Sequence, residues 1–138
     1  MKETANLLLE NKMEELDRIV AWIDQIAEQW CFKPMIVFNL NLVLEEAFSN
    51  IVNYAYSDQN RHQIELVLEQ NDNDVLTVKI IDDGTPYDPT QNEDPDTTLS
   101  AEERAIGGLG IFFIKQMMDT VDYERVENKN KLSLTKKL

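Results

Sequence analysis

One stretch of the chain carries an acid and two amides at helical spacing. Glu46, Asn50 and Asn53 fall within about 60° of one another on a helical projection, because successive residues of a helix turn by about 100°. An apolar stripe occupies the opposite side: Leu40, Leu44, Phe48, Ile51 and Ala55. A carboxylate and an amide oxygen one turn apart suit Mg²⁺, or a water beside a phosphate. The pattern predicts that one face packs and the other binds a ligand, with a solvated face as the alternative.

Two elements downstream could complete such a site. Asp82 ends an apolar stretch and precedes Gly84 by two residues, so its carboxylate could accept a hydrogen bond from a ring amine while the glycine lets the ligand approach. Gly107, Gly108 and Gly110 precede a helix, whose first N–H groups and dipole favour an anion such as a phosphate. Taken alone, the first element also fits an ordinary turn, and the second fits a packing requirement.

Periodicity predicts the elements that position these residues. They are, in order, a strand at 5–10, helices at 12–30 and 35–56, strands at 63–70 and 75–81, a helix from the glycines to about 119, and strands at 121–126 and 132–138. A hairpin loop at 71–74 predicts antiparallel pairing of the two middle strands, and residues 127–131 are interpreted as a loop between the last two. The polar segment at 88–106 is interpreted as a lid over a ligand.

Composition limits the classes of function. The 138 residues, 43% of them hydrophobic, suffice for one domain spanning 1–138 with its own core. The net charge of −13 repels nucleic acid and anionic membranes, so neither is an expected partner. A basic surface on a protein partner would suit this charge, although acidity also simply favours solubility.

Single residues and the N-terminus exclude further classes. Cys31 is the only cysteine, so no internal disulfide or thiolate cluster can form. His62 is the only histidine and is interpreted as structural, because zinc would need further ligands. The first residues lack a signal-peptide pattern, and no apolar run approaches the roughly 18 residues of a membrane span. These features predict a cytoplasmic protein.

The combination of these elements in one order resembles a known family. Glu46 with Asn50, Asp82-x-Gly84 and Gly108-x-Gly110 are similar to the motifs of the GHKL (Bergerat) ATP-binding fold of histidine kinases, gyrase B, Hsp90 and MutL. The resemblance covers nearly the whole chain and is closest to the small anti-sigma-factor serine/threonine kinases. It implies an α+β fold, a two-layer α/β sandwich in which three helices cover one face of a mixed, mainly antiparallel sheet.

The resemblance also implies roles for individual residues. Glu46 would be the general base, Asn50 a ligand of Mg²⁺, and Asp82, within the adenine box that includes Gly84, the acceptor for the adenine amine. The backbone of a second box would meet the phosphates of ATP: Gly107, Gly108, Leu109 and Gly110.

Other positions match the family less closely. Arg104 in the lid is a hypothetical contact to the terminal phosphate, and Asn53 is not required by the motif. A threonine common near the start of the family's last strand is absent, and Lys131 stands about where it would be, with Ser133 and Thr135 further on. The usual hydroxyl on that strand is therefore missing from its expected place.

The function that the resemblance implies is an ATP-binding anti-sigma-type regulator. It would use Mg-ATP to phosphorylate a serine or threonine of an anti-anti-sigma-like partner, with a sigma factor as a further partner and a homodimer as a family-level expectation. The first alternative is a nucleotide-dependent module that sequesters a regulator without transferring phosphate. The second is a detached histidine-kinase ATPase domain, disfavoured because no phosphoacceptor histidine lies upstream and His62 lies in the wrong element.

Overall fold

A computed structural model describes residues 3–58, 60–88 and 108–138. Within these ranges the chain forms five strands and three α-helices, with one 3₁₀ turn before the first α-helix. The elements are β1 (Glu3–Glu10), the 3₁₀ turn Met13–Glu15, α1 (Leu16–Trp30), α2 (Pro34–Tyr54), β2 (Gln63–Gln70), β3 (Val75–Asp82), α3 (Gly108–Met117), β4 (Thr120–Val126) and β5 (Lys129–Lys137). The order and type of these elements agree with the sequence-based expectation.

The five strands form one sheet in the order β1-β2-β3-β5-β4. Each of the four pairings between described strands is antiparallel, including the predicted β2–β3 hairpin, in which Leu68 lies opposite Val78. α2 packs between α1 and α3. The predicted two-layer α+β sandwich is therefore confirmed.

The core lies between the helices and one face of the sheet. Buried and partly exposed residues alternate along β2 and β3, because successive side chains of a strand point to opposite faces. Their inward residues are all at most 1% exposed: Ile64, Leu66, Leu68, Leu76, Val78 and Ile80. These strands therefore form the rigid floor on which α2 is fixed, and the end of β3 is placed beside the end of α2.

α2 supplies the largest part of the helical layer. Among the described residues, α2 is the one helix whose length and mean hydropathy of 1.3 reach what a membrane span requires. The expectation that no segment comes close to these requirements is therefore wrong. One face of α2 is buried in the core: Leu40, Val43, Leu44, Ala47 and Phe48. Packing between α1, α3 and the sheet accounts for its apolar character.

The hairpin between β4 and β5 differs from the expectation. Glu127 and Asn128 alone form the turn, with φ of 52° and 65°, and Val126 pairs with Lys129. Positive φ at both central residues is what a type I′ two-residue hairpin requires, and the usual glycine is absent here. The predicted five-residue loop at 127–131 is therefore wrong, and β5 begins three residues earlier than the predicted strand at 132.

Candidate functional site

A cavity of about 330 Å³ opens between the last turns of α2 and the sheet. Its volume lies within the range of small-molecule sites in proteins. Its walls come from α2 and the residue after it, from β3 and the segment that follows, from the first turns of α3, and from the β4–β5 hairpin. The lining residues are Ala47, Asn50, Ile51, Tyr54, Ala55, Asp82, Thr85, Pro86, Tyr87, Ile111, Tyr123, Asn130 and Leu132.

Asp82 is the buried carboxylate of this cavity, and it is only 5% exposed. Its Oδ1 accepts hydrogen bonds from the backbone N–H of Gly84 at 2.9 Å and from Nδ2 of Asn130 at 3.0 Å. Within the part of the chain that the structure describes, no hydrogen bond uses Oδ2. One carboxylate oxygen is thus fixed by the protein, and the other remains an acceptor for a ligand.

Burial raises the pKa of the Asp82 carboxyl, because desolvation disfavours its charged form. The hydrogen bonds from Asn130 and Gly84 and the positive charge of Arg125 lower that pKa, whereas the neighbouring carboxylate of Asp83 raises it. The net shift is upward. Carboxyl groups with a shifted pKa in cavities are common at binding and catalytic sites.

The turn after Asp82 is pinned to α2 and to β4. Thr85 donates its backbone N–H to the carbonyl of Ala55 at 2.8 Å, just beyond the end of α2. Arg125 on β4 donates from Nη1 to the carbonyl of Gly84 at 2.9 Å. These two hydrogen bonds hold the turn in place, and they therefore fix the orientation of the Asp82 side chain toward the cavity.

Gly84 is required by close packing. A Cβ at this position would lie 2.6 Å from both the Cβ and the carbonyl oxygen of Ala55. We expect Gly84→Ala to destabilise the fold by about 1–3 kcal/mol, because the backbone must move to admit the methyl group. Urea denaturation measures this loss, with Ser57→Ala, in the exposed turn after α2, as the control. An unchanged free energy of unfolding for Gly84→Ala would contradict this packing.

The polar face of α2 is only partly brought to the cavity. Asn50 lines the wall, whereas Glu46, which is half-buried, and Asn53, which is exposed, do not. Glu46 lies one turn before Asn50, about 6 Å along the helix axis. The structure thus separates an amide that lines the cavity from a carboxylate placed just beyond it.

The second glycine box lies at the start of α3. This helix begins at Gly108, so Gly108, Leu109 and Gly110 form its first turn, and Ile111 reaches the cavity wall. A helix N-terminus beside the cavity is suited to an anion. Gly107, Arg104 and the predicted lid, apart from Asp88, lie outside the described residues.

Asn130 and Tyr123 are site residues that sequence reasoning missed. Asn130 on β5 lies directly opposite Asp82 and is 7% exposed, whereas Lys131 lies on the other face of the sheet. Asn130 and not Lys131 therefore lies on the cavity side of β5. The prediction that the last strand begins at 132 left Asn130 in a loop, and no glycine marks the turn at 127–128 that brings it into the strand.

His62 lies in a polar cluster behind the Asp82 turn. Its ring stacks on Tyr56 with centroids 4.2 Å apart, and Nε2 lies 2.8 Å from Oδ1 of Asp58. Nδ1 lies 3.2 Å from a carboxylate oxygen of Asp83. Hydrogen bonding to Asp58, and more weakly to Asp83, raises the pKa of His62 although desolvation opposes the shift.

The raised pKa of His62 predicts a pH-dependent contribution to stability. Since the folded-state pKa exceeds the unfolded value, this contribution is complete below about pH 6.5 and is lost as pH rises through the folded-state value. We expect His62→Gln to cost more unfolding free energy at about pH 5.5 than at about pH 8.5. Urea denaturation at both pH values checks this. The loss of stacking on Tyr56 contributes equally at the two pH values, so a difference between them reports the ion pairing. An equal cost at both values would contradict the ion pairing.

The donor set of the cavity fits a nucleotide with a magnesium ion. Asp82 offers one free acceptor in an otherwise apolar surrounding of Ile51, Ile111 and Leu132, which suits a flat ring bearing an amine. Among the described residues no group of three histidine, cysteine or carboxylate side chains could hold a metal ion. A magnesium ion would therefore depend chiefly on phosphate oxygens and water, with Asn50 as the protein ligand.

Comparison with known proteins agrees with this arrangement. The profile of the family described as histidine kinase-like ATPase domain matches residues 9–136. A serine/threonine-protein kinase, BtrW of Bordetella bronchiseptica, is 32% identical over 114 residues, which cover 83% of this chain and 80% of that protein. A serine-protein kinase, RsbW of Listeria monocytogenes, is 32% identical over 103 residues, covering 70% of this chain and 63% of the Listeria protein.

A solved structure supports the fold. The histidine kinase domain of a blue-light-activated histidine kinase from Erythrobacter litoralis superposes with a TM-score of 0.57 at 17% identity, covering 91% of this chain and 60% of that one. The family match spans the site from α2 to β5, and the sequence-based resemblance to the GHKL fold is confirmed. The chain therefore belongs to the histidine kinase-like ATPase domain family.

Proposed function

We propose that this chain binds Mg-ATP in the described cavity and transfers the terminal phosphoryl group to a serine or threonine hydroxyl of a small protein partner. The observation that carries the proposal is the buried Asp82 carboxylate, with one oxygen held by two donors and the other open to the cavity. The names of the relatives, serine/threonine-protein kinase and serine-protein kinase, support the transfer step.

Each element of the site has a distinct part in the proposal. Asp82 accepts from the amine of the base, and the apolar wall of Ile51 and Leu132 excludes water from the ring. Asn50 holds the magnesium ion, and the first turn of α3 presents backbone N–H groups to phosphate oxygens. Mg-ATP, when bound, supplies the phosphoryl group and the charge neutralisation that its transfer requires.

Glu46 is the proposed general base. It lies on the same helix as Asn50 and one turn away, so its carboxylate is placed beyond the edge of the base-binding cavity. From that position Glu46 would accept the proton of the attacking hydroxyl as the new oxygen–phosphorus bond forms and the bond from the terminal phosphorus to the bridging oxygen breaks, releasing ADP. This separation allows the residues of the cavity to bind the adenine ring while Glu46 accepts the proton.

The proposed partner is an anti-anti-sigma-like regulator, with a sigma factor as a second partner. This assignment rests on the family resemblance and on the kinase names of the relatives. The charge of −13 favours basic rather than acidic surfaces on such partners. We further propose that the protein acts in the cytoplasm.

The test is phosphate transfer to a defined set of partners. The chain is incubated with magnesium and ATP radiolabelled in its terminal phosphate, together with each small anti-anti-sigma-like protein of the same organism. We expect label on a serine or threonine of one of them. Nucleotide-dependent complex formation without label in any partner would contradict the kinase function and favour the sequestration module instead.

A further inference from the structure

The β4–β5 hairpin brings two polar side chains to the back of Asp82. Asn130 pairs with Asp82 on one side and with Arg125 on the other, because β5 lies between β3 and β4. Tyr123, two residues before Arg125, points to the same face of β4. The short turn at 127–128 sets this register, so the juxtaposition is a property of the hairpin.

These side chains form a continuous hydrogen-bonded chain. The hydroxyl of Tyr123 donates to Oδ1 of Asn130. Nδ2 of Asn130 then donates to Oδ1 of Asp82 at 3.0 Å and to the carbonyl of Thr85 at 2.9 Å. The orientation of the Asn130 amide is dictated by its neighbours, because a reversed amide would direct its oxygen at a carboxylate and a carbonyl.

We propose that Tyr123 and Asn130 are a positioning pair, in which the hydroxyl orients the amide and the amide holds one oxygen of Asp82 so that the other selects a base bearing an amino group. The proposal rests on the proposed nucleotide site and adds to it two residues of the β4–β5 hairpin. Both side chains line the cavity, and the proposal is that Tyr123 orients Asn130 and Asn130 orients Asp82.

The physical consequence concerns the charge of Asp82. The carboxylate is buried, and it faces Asp83 from its own strand end, Arg125 from β4 and the phenol of Tyr56 beyond α2. The Asn130 hydrogen bond lowers the pKa of Asp82 against the effect of burial. An ionised Asp82 is an acceptor only, so it binds an amine and repels the oxygen of a 6-oxo base.

A double-mutant cycle tests the pair. The probes are Mg-ADP and the 6-oxo analogue Mg-IDP, and affinities are measured by calorimetry across a pH series. We expect Asn130→Ala to weaken Mg-ADP binding by roughly 10- to 100-fold, and Tyr123→Phe by roughly 3- to 10-fold. The double variant should be no weaker than Asn130→Ala, because Tyr123 has no effect once Asn130 is absent.

Two further readouts separate positioning from a general loss of structure. The acid limit is the pH below which Mg-ADP binding is lost. In both single variants the acid limit should move to higher pH, and the preference for Mg-ADP over Mg-IDP should fall. Asp122→Asn, on the outer face of β4, is the matched control and should change neither readout. Urea denaturation identifies any variant that fails to fold, and Tyr123→Phe, which keeps its ring, then carries the test.

The outcomes distinguish this inference from the proposed function. Absence of Mg-ADP binding by the unmutated protein would overturn both. If the unmutated protein binds Mg-ADP normally, two results would overturn the positioning pair alone. One is that the two substitutions have additive effects, and the other is that the variants keep the same acid limit and base preference. A Tyr123→Phe variant with unaltered affinity, acid limit and preference would do the same.

Discussion

Asp82→Asn is expected to weaken nucleotide binding by about 100-fold. In the substituted protein the amide oxygen can still accept from Gly84 and Asn130, which leaves the amide nitrogen facing the cavity. That nitrogen is a donor, so it meets the amine of the base without a hydrogen bond. Calorimetric titration with Mg-ATP measures the loss. Affinity within about fivefold of the unmutated protein would contradict the assignment of Asp82 to the base.

The same substitution should leave the fold intact. Because the pKa of Asp82 is raised in the folded protein, its stabilising contribution belongs to low pH and is lost as pH rises through the folded-state value. At neutral pH the buried charge therefore opposes folding, and a neutral amide removes that cost. Urea denaturation should show no loss of stability in Asp82→Asn. Asp83→Asn, at the exposed neighbouring position, is the matched control for binding.

Glu46→Gln should abolish phosphoryl transfer while sparing nucleotide binding. Removal of a positioned general base typically lowers the rate by roughly 10² to 10⁴. Binding should persist because Glu46 does not line the cavity proposed to bind the adenine ring. Single-turnover transfer from radiolabelled ATP gives the rate, and calorimetry with Mg-ATP gives the affinity.

Glu45→Gln is the matched control for this prediction. Glu45 is the exposed neighbour of Glu46 on α2 and carries the same charge, so its substitution changes the net charge equally. We expect it to retain both binding and transfer. Full transfer by Glu46→Gln, or an equal loss in both variants, would contradict the role of Glu46 as the base.

Local patterns predicted the fold well where one face of an element is buried. The alternation in β2 and β3 determines which side chains face the core, and a slip of one residue would expose Leu66 or Val78. The apolar stripe of α2 likewise predicted its buried side from Leu40 to Phe48. In such elements the spacing of the apolar residues is enough to identify the side chains that face the core.

The site was less predictable because its geometry depends on contacts between distant segments. Asp82 and Gly84 were identifiable from their spacing at a strand end, and Asn50 from its place on α2. Asn130 was not, because its face depends on a turn whose positive φ values fall on Glu127 and Asn128 rather than on glycine. A strand that begins three residues early changes which side chain meets Asp82.

The central claim is that Mg-ATP binds in the cavity beside Asp82, and a nuclear magnetic resonance titration tests it most directly. The ¹⁵N-labelled protein is titrated with Mg-ATP. We predict saturable shifts of the backbone amides of Gly84 and Thr85 and of the side-chain amide of Asn130, with much weaker shifts in Asp82→Asn. No saturable shift at millimolar nucleotide, or shifts confined to the outer face of the sheet around Lys79 and Ser133, would contradict the claim.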